Sequence, residues 1–240
     1  MPEFQSPEAF LAACTVDPAV FELRPDYCTL LLVVDGLDPE VAASSADELI
    51  DRAEAHARAL LAASPVEDLP HIAAWREAYR TFGAKPQRTR NSLEALTRRA
   101  EKGLPRVNAL ADVYNAVSVL HQVPFGGEDF HRYEGPARLV RAVGEEAFDT
   151  VAGGESVIEH PEVGEVVWRD DVAVTCRRWN WRQGRRTALA DDTVAAFFIL
   201  DALAPITHLE LTAAADALTQ ALSALGSDVR VSRRSVSAPW

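Results

Sequence analysis

Apolar and polar positions follow two different periods along the chain. In YCTLLLVVDGL (27–37) the apolar residues are continuous and Asp-Gly closes the run, which predicts a short buried strand. PEVAASSADELIDRAEAHARALLAAS (39–64) is Ala-rich with apolar residues at helical spacing, and Pro39 suits a first helical turn. HIAAWREAYRTFG (71–83) predicts a second helix, stopped by Gly83. The next helix is capped by Asn91 or Ser92, carries Glu94 in its first turn, and ends at Gly103 and Pro105. NALADVYNAVSVLHQVP (108–124) is a further helix, capped by Asn108 and closed by Pro124.

The second half changes period. ARLVRAV (137–143) alternates as a half-buried strand does. Residues 164–182 predict a hairpin turning at Asp170-Asp171. In its second strand Trp179 and Trp181 would share one face, with Arg178, Asn180 and Arg182 on the other. DDTVAAFFILDAL (191–203) predicts another buried strand, 208–226 an amphipathic helix ended by Gly226, and 228–234 a last strand. There is no internal repeat. This mixture predicts an α+β fold around one packed core.

Composition adds little until it is read locally. The 240 residues are 48% hydrophobic and 25% charged, enough apolar content for a sizeable core. No apolar run approaches the length of a membrane span, and the first ten residues lack the basic and apolar parts of a secretory leader, so a cytoplasmic protein without membrane contact is expected. Cys14, Cys28 and Cys176 are far apart and suggest neither a zinc site nor a disulfide framework. The net charge of -12 is uneven. Residues 1–70 hold three basic against fourteen acidic residues, whereas 76–106 hold nine basic against three acidic and 172–190 hold five arginines and no acid. Two basic zones on an acidic molecule argue against coating of DNA and leave room for a local contact with a phosphate-rich end of a partner, beside the plain reading of solvated helix faces.

General motifs are absent. There is no phosphate-binding loop, no GxGxxG after a strand, no HExxH and no GxSxG, and the six histidines lack metal-ligand spacing. No metal and no cofactor is expected. The glycine pairs at 126–127 and 153–154 and the acid pairs at 170–171 and 191–192 read as turns.

The centre of the chain is more distinctive. LPRVNALADVYNAVSVLHQVPFGGEDFHRYEG (104–135) and LVRAVGEEAFDTVAG (139–153) resemble the B3/4 editing domain of the phenylalanyl-tRNA synthetase beta subunit. The resemblance rests on Asn108, Asp112, Asn115, Pro124, Asp129, Gly144, Glu145, Phe148 and Gly153. Freestanding relatives of that domain look closer, through WREAYRTFG (75–83), the Arg90–Leu96 element, Val117-Ser118, the Pro124–Gly127 turn and RRWNWR (177–182). The resemblance covers about residues 70–205. It implies a three-layer β/β/α sandwich forming a single compact unit, with an editing-like domain over 71–240 and an acidic strand-helix segment, 1–70, packed on the core. It also implies hydrolysis of a mischarged aminoacyl-tRNA at its 3′-terminal ester, with the charged acceptor end and a small amino-acid moiety as partners. In the synthetase the amino acid removed is tyrosine on tRNA-Phe, and some freestanding members are thought to act on the arginine analogue canavanine. A non-catalytic amino-acid or aminoacyl-adenosine sensor and a tRNA- or synthetase-docking protein stay open beside it.

An aminoacyl ester is already activated, so the chemistry needs an oriented water, a held carbonyl and a reader for the side chain, without metal or covalent nucleophile. By the resemblance, Asn115 orients water or the amino group, and Ser118 and Tyr114 lie by the pocket, Tyr114 where the synthetase has threonine. Gly126 stands where the synthetase has histidine, and Gly126-Gly127 would let backbone N–H groups serve the carbonyl. Glu128 and Asp129 either anchor an ammonium or cationic group or form a solvated loop. The synthetase's pocket glutamate has no counterpart, its place falling at 186–188. Trp179, Asn180 and Trp181 either stack on the terminal adenine and line a polar pocket or belong to the core. Arg177, Arg178 and Arg182, with Arg88, Arg90, Arg98 and Arg99, would form a phosphate track if the fold joins the two basic zones.

Overall fold

A computed structural model describes residues 6–41 and 46–238. Two apolar runs form its centre. β2 (Cys28–Asp35) and β10 (Ala195–Ala202) pair antiparallel over their full length, and β10 is buried at every position. Both faces of these strands are covered, which is why they read as continuous rather than alternating apolar runs. β11 (Arg230–Ser237) flanks β2 and β3 (Phe125–Asp129) flanks β10, in the order β11-β2-β10-β3. The acidic N-terminal stretch thus supplies an inner strand of the sheet.

One face of this sheet carries helices. Leu30, Leu32, Val34, Phe198 and Leu200 pack against α3 (Ala46–Ala63), α6 (Ala109–His121) and α7 (His208–Leu222). The opposite face carries Leu31, Val33, Phe197 and Ile199, which meet a second sheet through Leu139, Val166 and Trp168. That sheet joins β1 (Thr15–Val16), β4 (Arg138–Arg141), β7 (Val166–Arg169), β8 (Val174–Arg177) and β9 (Arg182–Gln183) in the order β1-β4-β7-β8-β9. The layers are sheet, sheet and helices, the β/β/α sandwich that the sequence resemblance implied. β5 (Phe148–Ala152) and β6 (Glu155–Glu159) form a separate hairpin. Two short helices, α1 (Pro7–Ala13) and α2 (Pro18–Leu23), precede β2. α4 (Pro70–Thr81) and α5 (Ser92–Arg99) lie ahead of α6. Among the described residues no helix is long and apolar enough to cross a membrane.

Several expected boundaries move for local reasons. Pro39 lies in a turn, and the described part of the helix begins at Ala46, residues 42–45 being outside the described set. α6 ends at His121, with Gln122 in the left-handed region, before Pro124 is reached. The hairpin does turn at Asp170, whose Oδ1 accepts from the N–H groups of Val172 and Ala173, but its second strand stops at Arg177. Arg178 (φ 48°) and Trp179 (φ 68°) are both left-handed, so residues 178–181 form a turn. Two such residues in succession break the two-residue alternation, and the expected shared face of Trp179 and Trp181 does not exist.

Candidate functional site

The turn that follows β8 decides where the tryptophans go. Trp179 is fully buried and meets Tyr27, Trp75 and Phe82 edge-on or tilted, with ring centroids 5.0–6.3 Å away. Trp181 is half-buried, and the guanidinium groups of Arg178 and Arg182 each lie 4.6 Å from its ring centroid. Trp181 is therefore already stacked, on cations rather than on a base. Arg177 is buried as well: its Nε and Nη2 donate to Glu165 at 2.8 Å each and its Nη1 to Glu159 at 2.7 Å. Arg178 also pairs with Glu165 (3.4 Å) and Arg182 with Glu159 (2.6 Å). The block RRWNWR is thus held internally, and Arg177, expected on a phosphate-facing surface, is an ion-pair partner inside the protein.

The same turn brings the two basic zones together. The Arg178 guanidinium donates to the hydroxyl of Thr89, and Ser92 N–H donates to Asn180 O at 2.9 Å. Arg88 and Arg90 flank Thr89 on the surface, and Arg98 is tied to Glu94 and Glu67. Arg88, Arg99, Lys85 and Lys102 are exposed and form no ion pair among the described residues.

Beside this turn, at the β3 edge of the two-sheet interface, lies a cavity of about 90 Å³. Gly126 and Glu128 line it from β3, Ile199 and Asp201 from β10, Asn115 and Tyr114 from α6, and Gln183 from β9. Phe125, Trp168, Cys176, Trp179, Asn180, Trp181 and Ser92 complete its walls. Seven of the residues singled out from the sequence, Tyr114, Asn115, Gly126, Glu128, Trp179, Asn180 and Trp181, meet here. The others do not. Ser118 is buried and donates to Val123 O at 2.5 Å, closing the end of α6. Asp129 points away and accepts from Thr193 and from His131 N–H. At Gly127 a Cβ would stand 2.8 Å from the Phe198 ring and 2.9 Å from that of Tyr114, so this glycine faces the helix layer. The space left by its missing side chain is what admits the Tyr114 ring.

The cavity has no cationic wall residue, yet it holds two carboxylates. Glu128 is fully buried, accepts from Tyr133 Oη and lies 3.5 Å from Gln183 Nε2. Burial pushes its carboxyl up to about 7, against the pull of these donors. Asp201 accepts from Tyr27 Oη at 2.6 Å and from Asn180 Nδ2 at 3.3 Å, and burial pushes it up to about 7 as well. The Cys176 thiol is raised by burial and by the charges of Glu128 and Asp201, which keeps it protonated and weakly nucleophilic. The Tyr114 phenol is pushed up to about 12 by burial and by Glu128, so it stays neutral. The Asn115 amide makes no hydrogen bond to another described residue. Gly127 O accepts from Gln183 Nε2 (2.9 Å) and Asp129 N–H donates to Thr187 O (2.8 Å). These bonds show that Gly127 and Asp129 turn their backbone groups to the edge of β3 away from β10. Among the described residues no group of three His, Cys, Asp or Glu side chains is arranged to hold a metal.

Sequence reasoning missed Asp201, Gln183 and Cys176. Asp201 had a signal: an acid inside the apolar run AAFFILDA, where burial is expected to be costly. Gln183 and Cys176 had none, because only the turn at 178–181 folds β9 back beside β8.

A two-sheet sandwich backed by helices, with a polar acidic cavity at the sheet edge, places the chain in the class of layered α+β domains. Residues 74–224, well over half of the chain, match the family model described as B3/4 domain, and the chain belongs to that family. No curated protein matches the sequence. Among solved structures, the chain is similar to an N-terminal fragment of the phenylalanyl-tRNA synthetase beta subunit from Pyrococcus horikoshii. Identity there is 14% and the TM-score 0.46, over 90% of this chain and 50% of that one, so the chain spans half the length of the fragment.

Proposed function

We propose that the protein is a trans-acting deacylase that hydrolyses the 3′-terminal ester of a mischarged tRNA. The observation that carries this reading is the cavity in which an unengaged amide, Asn115, meets a buried carboxyl, Glu128, that titrates near neutrality. Asn115 orients a water. Ionised Glu128 takes a proton from it as the water oxygen bonds to the acyl carbon. The carbonyl oxygen is held by backbone N–H at the β3 edge, where Gly127 directs its amide. The bond from acyl carbon to ribose oxygen then breaks, and the proton passes from Glu128 to that oxygen. The products are a free amino acid and an uncharged tRNA end. The cavity suits a small acyl group, and the exposed cations around α5 suit the acceptor-end phosphates.

The test is a deacylation screen of charged tRNAs, including Tyr-tRNA-Phe and canavanyl-tRNA-Arg, with Asn115→Ala and Glu128→Gln beside the wild type. Selective ester loss that both variants lose is expected. No hydrolysis across the panel by folded wild-type protein would overturn the reading in favour of a binding module.

A further inference from the structure

Asp201 sits in a strand of eight buried residues and is itself 2% exposed. A carboxylate placed so deep is normally matched by a cation. Here its partners are neutral donors, Tyr27 and Asn180, and among the described residues no cation is bonded to it. Asn180 is fixed on all sides. Its Oδ1 accepts from Tyr79 Oη at 3.0 Å, its Nδ2 donates to Asp201 Oδ2 at 3.3 Å, and its backbone O accepts from Ser92 N–H at 2.9 Å. It follows two left-handed residues in a turn whose shape is set by the ion pairs of Arg177 and Arg178. When Asp201 is ionised, its acceptor-only carboxylate on one side and the Tyr79 hydroxyl on the other allow one orientation of the amide. One Nδ2 proton is used by Asp201 and the second is left for the cavity that Asn180 lines.

We infer that Asp201 is a positioning residue, which locks the Asn180 amide so that its free N–H is offered to an oxygen of the bound aminoacyl group. This rests on the deacylase reading and deepens it. It also gives the segment leading into β2 a part in the site, since Tyr27, which holds the other oxygen of Asp201, lies outside the family match at 74–224.

The test is a double-mutant cycle on the full chain. Asp201→Asn keeps the shape but no longer dictates which way the amide faces, and Tyr79→Phe releases the opposite side. Each is expected to lower kcat about 10- to 100-fold, the usual range for a partner that orients a reacting group, with KM within about twofold. Asn180→Ala is expected to lose at least as much, and Asp201→Asn added to Asn180→Ala to lose nothing more. Additive losses, or an unchanged kcat in Asp201→Asn, would overturn the inference. Should the wild type hydrolyse no charged tRNA, the deacylase reading fails by itself. The same cycle is then run on the Kd of an amide-linked 3′-aminoacyl-adenosine, measured by calorimetry. Coupled losses there keep the positioning role, whereas additive losses, or no binding by the wild type, overturn it.

Discussion

Replacing Glu165 by Ala tests whether the arginine block is structural. Glu165 is 2% exposed, Arg177 6%, and the pair is bidentate at 2.8 Å. Glu165 also accepts from Arg178 N–H and Nε at 3.3 and 3.4 Å, so one carboxylate serves both the last residue of β8 and the first residue of the turn. Removing one partner of a buried pair typically costs about 3–5 kcal/mol, because the other charge is left without compensation. Glu159 still holds Arg177 at 2.7 Å but is 33% exposed, which places the expected loss near the lower end, about 3 kcal/mol. With a urea m-value of about 3 kcal/mol/M for a chain of this length, the midpoint should fall by about 1 M. Urea titrations followed by tryptophan fluorescence measure this directly, since Trp179 and Trp181 lie in the affected turn. Glu165→Gln should lose less, because an amide oxygen still accepts from Arg177. High salt should leave the difference largely intact, as buried pairs are poorly screened. A fall of under about 0.3 M would mean that the pair behaves like a solvated surface bridge, and the structural reading of the block would be wrong.

Other consequences are checked as simply. Gly127→Ala should cost about 1–3 kcal/mol by overpacking Phe198 and Tyr114. Gly126→Ala, whose Cβ meets only the movable end of Gln183 at 3.2 Å, should keep stability while lowering activity, and paired urea and deacylation assays separate the two. Glu128 and Asp201, raised from 4.5 and 3.8 to about 7, retain protons in the folded state that the unfolded chain has released, so they cost stability as pH rises from about 4 to 7. His71, lowered by burial from 6.5 to about 4, acts in the opposite sense, its contribution being lost as pH falls through that range. His121, also lowered by burial, acts in the same sense as His71, so around pH 5.5 the two raised carboxyls oppose the two lowered imidazoles, and removing the carboxyls should shift the dependence toward stability that rises with pH. In the Glu128→Gln, Asp201→Asn double variant the slope of stability against pH between about 4 and 7 should become more positive than in the wild type, and an unchanged slope in denaturation curves would contradict the assigned shifts. For tRNA, Arg88→Ala and Arg99→Ala should each reduce the slope of log K against log salt by about 1, whereas Arg177→Ala should act on stability instead.

Much of the fold was legible because its two inner strands are covered on both faces. YCTLLLVVDGL and AAFFILDA could hardly be anything but buried, and the caps Asn91 and Asn108 sit where side-chain geometry requires them. The lining residues Asn115, Gly126 and Glu128 were reached through motif order, and no residue pattern revealed that Gly127 turns to the helices while Gly126 turns to the cavity. That distinction comes from the pleat of β3, whose register is set by pairing with β10. RRWNWR misled because alternation assumes extended backbone. The left-handed pair Arg178-Trp179 is not announced by glycine or asparagine, and it is stabilised by groups remote in sequence: Glu165, Thr89 and the aromatic cluster around Trp75.

The ion pairs of this turn also change how the charge of the protein is to be read. Arg177, Arg178 and Arg182 share Glu159 and Glu165, so most of the second basic zone is neutralised where it stands. The surface then presents Lys85, Arg88, Arg99 and Lys102 around one short helix on an otherwise acidic molecule. Ser92, the first residue of that helix, lines the cavity. On the deacylase reading, a polyanion drawn to these cations would meet the helix whose first residue lines the cavity, while the acidic remainder of the surface would repel its length. Such an arrangement would favour brief contact with one terminus over tight retention of a whole nucleic acid, as the proposed deacylase, sampling many charged tRNAs and releasing each, would require.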